Sequence, residues 1–345
     1  MKRACIAGLV ALSLGFSANA MAKDVNPVDI FVGDFAGVAS LDIDKLFANK
    51  MISDTVDQNT SSVKGADKTL DFLKGVGIDY KKDIDVVTVA FNDAGNVCSA
   101  VDAKKSLKDI FEAEVKKNNL VAVDHNGAKI YAHMGNNIAL VSDTRLVLCH
   151  KSLDIKPSLD NLKAEKLKTL KDRDAVLYNA YAKTSSGVDV RAAVKMTPSL
   201  KAMAADFKLD GEAGKSIALA DAEAAGLSIS FAGGLKIDTI AQMKSDAVAA
   251  DGAAVINGVV MPLLSDPSIA ELGIGFVKDC VKIAANKKDL SLNIKFSDDQ
   301  MTTLVGLASS MMAMAAPAPK AAPKAAPKAA PAAPKAAPAA EPAKK

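Results

Sequence analysis

The chain contains no tryptophan, and aromatic residues make up only 4% of its 345 residues. Sugar-binding and peptide-binding clefts usually rest on Trp and Tyr platforms, so sites of that kind are disfavoured. Histidine is scarce too: His125, His133 and His150 are the complete set. A zinc or copper centre needs three or four ligands converging at about 2 Å. Here one histidine falls on a turn and two at strand ends, with only Asp124, Asp143 and Cys149 nearby to complete a site. They read as exposed or half-buried side chains on a sheet. Sequence signatures of catalysis are missing: no Gly-x-Gly-x-x-Gly after a strand, no His-Glu-x-x-His, no Gly-x-Ser-x-Gly and no Cys-x-x-Cys. Gly211-Glu212-Ala213-Gly214-Lys215-Ser216 ends like a phosphate loop but has Leu209 where the first glycine belongs, so it reads as a turn. Carboxylate pairs such as Asp83/Asp85 and Asp298/Asp299 fit a strand edge and a helix N-terminus better than acid–base chemistry. The expectation is a protein that is not an enzyme and has no cofactor or metal.

The apolar runs are short. Ile6 to Phe16 is the longest near the N-terminus, too short for a bilayer span, and it follows Lys2 and Arg3. Ser17-Ala18-Asn19-Ala20 then supplies the small-x-small pattern of a signal-peptidase site, so residues 1–20 read as a signal peptide. Cys5 precedes the apolar core and is not a lipoprotein cysteine. No later segment has eighteen uninterrupted apolar residues, so a soluble, periplasmic or secreted mature chain with no transmembrane span is expected.

Residues 316–345 read APAPKAAPKAAPKAAPAAPKAAPAAEPAKK, with eight of the thirteen prolines and six lysines against the single acid Glu341. Proline at this density removes helix donors and favours polyproline II, and alanine alone cannot offset the entropy of ordering. A disordered, semi-stiff basic arm on a mildly acidic body is the result. Lys320, Lys324, Lys328, Lys335, Lys344 and Lys345 are candidates for contacting an anionic envelope component: glycan, lipid head groups or an acidic protein. A spacer whose lysines only keep it solvated is the other reading. In composition the arm resembles the Pro/Lys/Ala-rich spacers of TonB-type and other envelope-spanning proteins, and also the tails of linker-histone-like proteins. Export argues against nucleic acid as a partner.

Between the ends, one pattern recurs: a period-2 apolar segment, a polar N-cap, then a period-3.6 helix. Val38 to Leu41 leads to Asp42 and a helix through Ile43, Leu46, Phe47 and Met51. Val97 to Val101 leads to Asp102 and a helix through Leu107, Ile110, Phe111 and Val115. Val190 to Met196 leads to Thr197-Pro198, and Leu290 to Phe296 leads to Ser297 with Gln300 set for a capping box. Ile84 to Phe91 is apolar on both faces, as a central strand would be. Leu120 to His150 reads as a four-stranded meander with an Asn126-Gly127 hairpin. Gly226–Phe231 and Leu235–Gln242 form a hairpin around Gly233-Gly234, while 247–264 and 269–285 read as two helices.

The fold expected is α+β: two modules, 24–156 and 174–315, joined by a connecting segment at 157–173, each an antiparallel sheet covered on one face by helices. The halves share βα units without an obvious common order of elements, and an internal duplication stays open. The run Leu73-Lys74-Gly75-Val76-Gly77-Ile78-Asp79 leading to Asp83-Ile84-Asp85-Val86-Val87, with the hairpin from Asn126 to Tyr131, resembles the tandem α+β modules of uncharacterised secreted bacterial proteins, the DUF3352-like group. The resemblance covers the first module and implies no catalytic residues.

Three cysteines follow the signal peptide, an odd number for an oxidising compartment. Cys98 and Cys149 both fall on expected strands of the first module and are the disulfide candidates. Cys280 reads as a buried thiol on a helix, with a reactive or intermolecular thiol as the alternative. Two functions follow. The first is a non-enzymatic envelope protein, a binding or structural body with a basic arm that tethers or spaces it. The alternative is a periplasmic carrier of an apolar ligand such as a lipid, suggested by twelve methionines, including Met261, Met301, Met311, Met312 and Met314 late in the chain.

Overall fold

The computed structural model describes residues 26–50, 52–54, 78–164, 166–205, 208–211 and 216–315. The expected signal peptide, the 73–77 run, the Gly214-Lys215 pair and the Lys/Pro arm with its six candidate lysines lie outside the described residues. The chain parts into a body ending at Leu304 and a C-terminal unit from Val305, whose described portion is the helical stretch to Ala315.

In chain order the elements are β1 (Gly37–Asp42), α1 (Ile43–Ala48), α2 (Tyr80–Asp83), β2 (Ile84–Phe91), β3 (Val97–Ala103), α3 (Lys108–Lys117), β4 (Ala122–His125), β5 (Ala128–His133), β6 (Asn136–Ser142) and β7 (Arg145–His150). Then come α4 (Lys156–Lys163), α5 (Leu170–Arg173), α6 (Ala175–Ala182), β8 (Val190–Lys195), α7 (Pro198–Ala204), β9 (Lys208–Asp210) and β10 (Ser216–Ala218). The last set is β11 (Ala222–Ser230), β12 (Leu235–Met243), α8 (Asp246–Leu264), α9 (Pro267–Glu271), α10 (Val277–Cys280), β13 (Val281–Asn286), β14 (Asp289–Phe296) and α11 (Asp298–Ala315).

Local chemistry sets most of these boundaries. The Asp42, Thr197 and Ser245 side chains accept the N–H of Lys45, Leu200 and Val248 and so start α1, α7 and α8. Ser297 and Gln300 exchange bonds as a capping box at α11. Asn126 and Gly127 both take positive φ, the geometry of a type I′ hairpin turn. Two expectations need correction. Asp102 caps no helix: it lies within β3, where its carboxylate pairs with Arg145 opposite it on β7. The expected helix over 269–285 is instead α9, α10 and the strand β13. Val281 and Ile283 alternate with polar or small residues and pair with Ile294 and Leu292 of β14, so sheet pairing outweighs the helical spacing.

The fold is α+β, and its antiparallel strands form one twelve-stranded sheet, ordered β13-β14-β12-β11-β8-β1-β2-β3-β7-β6-β5-β4; β9 and β10 pair apart from it. The strands of the two halves meet where β1 runs antiparallel to β8, with Gly37 opposite Val194 and Ala39 opposite Ala192. Outward from that pair both arms repeat one order. A first strand (β1, β8) leads to a short helix; a hairpin follows (β2–β3, β11–β12), then a helix (α3, α8). A last hairpin (β6–β7, β13–β14) then sets its second strand beside the first hairpin. The halves thus share one order of elements outward from β1 and β8, apart from the extra β4–β5 hairpin of the first, a common order that period and capping signals did not reveal.

The cover is fuller than one helical layer. On one face of the first arm, Leu41, Val87, Val101, Leu146 and Ile138 pack under Ile43, Ile78, Leu107 and Phe111. On the opposite face Val38, Ala90, Ala100, Val147 and Ala193 pack under Phe31, Ile155, Leu159, Leu177 and Tyr181, from the N-terminal turn and α4–α6. A smaller cluster in the second arm joins Met243 and Leu290 to Ala249 and Ala253 of α8. The first arm is double-covered because its central strands are apolar on both faces; the outer strands of the second arm are not.

Candidate functional site

Cys98 and Cys149 stand directly opposite each other on β3 and β7, both fully buried, and their sulfurs are bonded across 51 residues of chain. Cys280 is the free thiol, buried at the end of α10. Burial pushes its pKa up, while a bond from its Sγ to Gln300 Oε1 opposes that shift. A thiol so placed holds little thiolate and is a poor nucleophile.

The histidines do not converge. His125 Nε2 is 2.8 Å from Asp160 on α4, so it pins the β4–β5 hairpin to the helix layer. His133 ends β5, and His150 at the end of β7 meets Ser152. Among the described residues no three His, Cys, Asp or Glu side chains come together as a metal site.

Charged groups near the β1–β8 pair are mutually satisfied. Lys195 bridges Asp34 at 2.9 Å and Asp174 at 2.8 Å, in a cleft of about 580 Å³ that also holds Asp93, Lys201 and Glu223. Burial alone would lower the Lys195 pKa, but the two carboxylates outweigh it and hold the ammonium above its ordinary value. Arg191 lies 4.0 Å over the Tyr181 ring and donates to Thr184 Oγ1 and the Tyr181 carbonyl, fixing the end of α6 on the sheet. On β12, Asp238 is desolvated, which would raise its pKa. Lys236, Asn293 and Ser185 bond it and bring the value below the ordinary carboxylate range. These groups weld elements together.

The unusual surface is the helix-side face of the second arm. Val190, Ile229, Ile237, Ile294 and Val281 stand opposite one another across β8, β11, β12, β14 and β13, forming a single aliphatic rung. Ala192, Leu227, Thr239, Leu292 and Ile283 form the adjacent rung. All ten are half-buried, and the first rung belongs to none of the three core clusters. At the hairpin end of this face lies a cleft of about 750 Å³. It is walled by Asn49 and Lys50 after α1, Phe231 and Gly233-Gly234 of the β11–β12 turn, and Met301 of α11. Asn49 Nδ2 donates to the Phe231 carbonyl and holds one wall to the other. Gly234 has φ +120°, and a Cβ there would come within 2.0 Å of the Phe296 carbonyl, so only glycine closes this turn.

The alternation of Leu227/Ile229, Ile237 and Leu292/Ile294 is legible in the sequence. That these residues share one face at one level is not, because register between strands far apart in the chain is set by tertiary pairing. One helix among the described residues, α8, is long and apolar enough to cross a membrane, with a mean hydropathy of 1.7 over its best window, of which 17% is buried. Its Ala249, Gly252, Ala253 and Val255 are buried, and its Asn257 donates to the Ile283 carbonyl of β13.

No family model matches the chain, and no curated protein matches it. Among solved structures it is similar to TP0453 in several crystal forms. Crystal form III gives a TM-score of 0.47 at 10% identity, over 82% of this chain and 98% of that one. Crystal form IV gives 0.45 at 9% identity, over 82% and 97%.

Proposed function

We propose that the chain is an exported, non-enzymatic envelope protein: a binding body carried on a basic, proline-rich arm that tethers or spaces it against an anionic envelope component. The paired signal carries the reading, an export sequence at one end and a Lys/Pro/Ala arm at the other. A buried disulfide suits the oxidising compartment that export implies. Attraction through lysines on an extended arm is long-range and screened by salt. Cell fractionation tests it. The full-length protein should sediment with envelopes at low salt and be released by salt, and a form lacking 316–345 should stay in the soluble fraction. Sedimentation that survives both salt and deletion of the arm contradicts the tether.

One observation favours a more specific form of this reading, a carrier of an apolar ligand such as a lipid. The two rungs of the second arm, aliphatic but for Thr239, are half-buried on a sheet face that in the first arm packs beneath helices. Contiguous apolar surface of this kind marks a binding site more often than an idle surface.

A further inference from the structure

We propose that the carried ligand is a single-chain amphiphile with an anionic head, its chain laid along the Val190–Ile229–Ile237–Ile294–Val281 rung and its head in the cleft at the β11–β12 hairpin. The proposal rests on the carrier reading and adds the ligand class, the site and the direction of binding.

The rung crosses five adjacent strands. At the ~4.8 Å spacing of hydrogen-bonded strands, its four steps span about 19 Å, the reach of a long acyl chain. Leu227 and Leu292 of the second rung flank it, so an extended chain would lie between two rows of methyl groups. The first arm closes the corresponding end of its sheet differently. There His150 stands opposite Asn136, and the β2–β3 hairpin turns through Asn92 and Asn96. At this end of the first arm Gly37, Phe91 and Val97 stand opposite one another and only the outer pair, His150 and Asn136, is polar, whereas the rung of the second arm is aliphatic on all five strands. The volume of the cleft, about 750 Å³, lies within the usual range of ligand sites, about 300–1,000 Å³. The cleft adjoins the rung along the chain: Ser230 and Phe231 in its wall follow Ile229, and Asp189 precedes Val190.

The cleft is polar at its rim. Lys45 is held by Asp42, but Lys50 is exposed and makes no ion pair among the described residues. The two acids in the lining are occupied otherwise. Asp189 is buried and accepts the Phe231 N–H at 2.7 Å, and Asp298 sits in the first turn of α11, where the helix dipole stabilises a negative charge. An anionic head therefore finds Lys50, without an ion pair among the described residues, at the mouth, while apolar burial along the rung supplies most of the affinity.

The test uses the full-length chain secreted through its own leader and delipidated. It is titrated with dansyl-aminoundecanoic acid as the anionic chain and with N-phenylnaphthylamine as a neutral apolar probe. Both should bind, and the fatty acid should be displaced by palmitate or by a lysophospholipid; whichever competes better identifies the source of the head group. Lys50→Glu should weaken the fatty acid about tenfold and leave the neutral probe unchanged. Ile237→Asn should weaken both; if that variant melts early, Ala192→Leu, which adds bulk at a half-exposed position of the second rung, replaces it. Fatty-acid binding indifferent to all three changes overturns the proposal. Neutral-probe binding without fatty-acid binding overturns it while leaving the carrier reading standing, and binding of neither probe removes both.

Discussion

Cys98 and Cys149 illustrate how far single residues could be read. Their strands were legible from alternation, and opposite placement on β3 and β7 then makes a bond geometrically available. Closing a loop of 51 residues should stabilise the fold by about 4 kcal/mol in the chain-entropy account. Replacing both cysteines with alanine should lower the denaturant midpoint accordingly, and thiol counting on the unfolded but unreduced chain from residue 21 onward should find one free thiol. Three free thiols would show no bridge. Asp238 makes a prediction about pH. Its folded-state pKa is held below the unfolded value by Lys236, Asn293 and Ser185 against an opposing desolvation. Its contribution is therefore fully present above the unfolded value, about 3.9, and is lost as pH falls through the lower folded value. Asp238→Asn should flatten the acid limb of the stability curve and leave its slope near neutrality unchanged, as urea titrations across pH would show. No sequence signal singled out Asp238, because its partners come from β12, β14 and the loop after α6.

The same contrast appears among the elements. The helices α1, α7 and α11 were legible because an N-cap oxygen, a local signal, follows an alternating segment at each. Thr197→Ala should cost about 1 kcal/mol, measurable by denaturant unfolding. The start of α3 was misplaced because it lacks a side-chain cap, and a strand carboxylate six residues earlier, Asp102, resembled one. β13 was misread because Phe276 to Ala285 fits either period, and only pairing with β14 decides between them. How closely elements approach is equally a tertiary property. A Cβ at Gly226 on β11 would meet the Ala180 carbonyl at 2.5 Å and Thr184 Cγ2 at 2.6 Å, so α6 sits directly on this strand. Gly226→Ala must push the helix backbone away and should destabilise by about 1–3 kcal/mol, with the loss visible as a lowered melting temperature. An unchanged melting temperature would mean that α6 packs more loosely than described.

For the whole molecule, the α+β class, the antiparallel pairing and most strands followed from period and turn chemistry. The single sheet did not, since β1 and β8 pair across some 150 residues with nothing local to announce it. Nor did the common order of the two arms, which share topology rather than repeated residues. That shared order gives the candidate site its meaning: two arms of like design, one with its central strands covered on both faces and the other with half-buried aliphatic rungs near a polar-rimmed cleft. The measurement that bears most directly on this account is native mass spectrometry of the full-length protein, secreted through its own leader and gently purified. The account predicts a stoichiometric adduct of a few hundred daltons, lost on organic extraction and identified as a single-chain lipid. A homogeneous, folded protein of bare polypeptide mass that also fails to take up added lipid would contradict it, and would leave the arm rather than the sheet as the functional part of the chain.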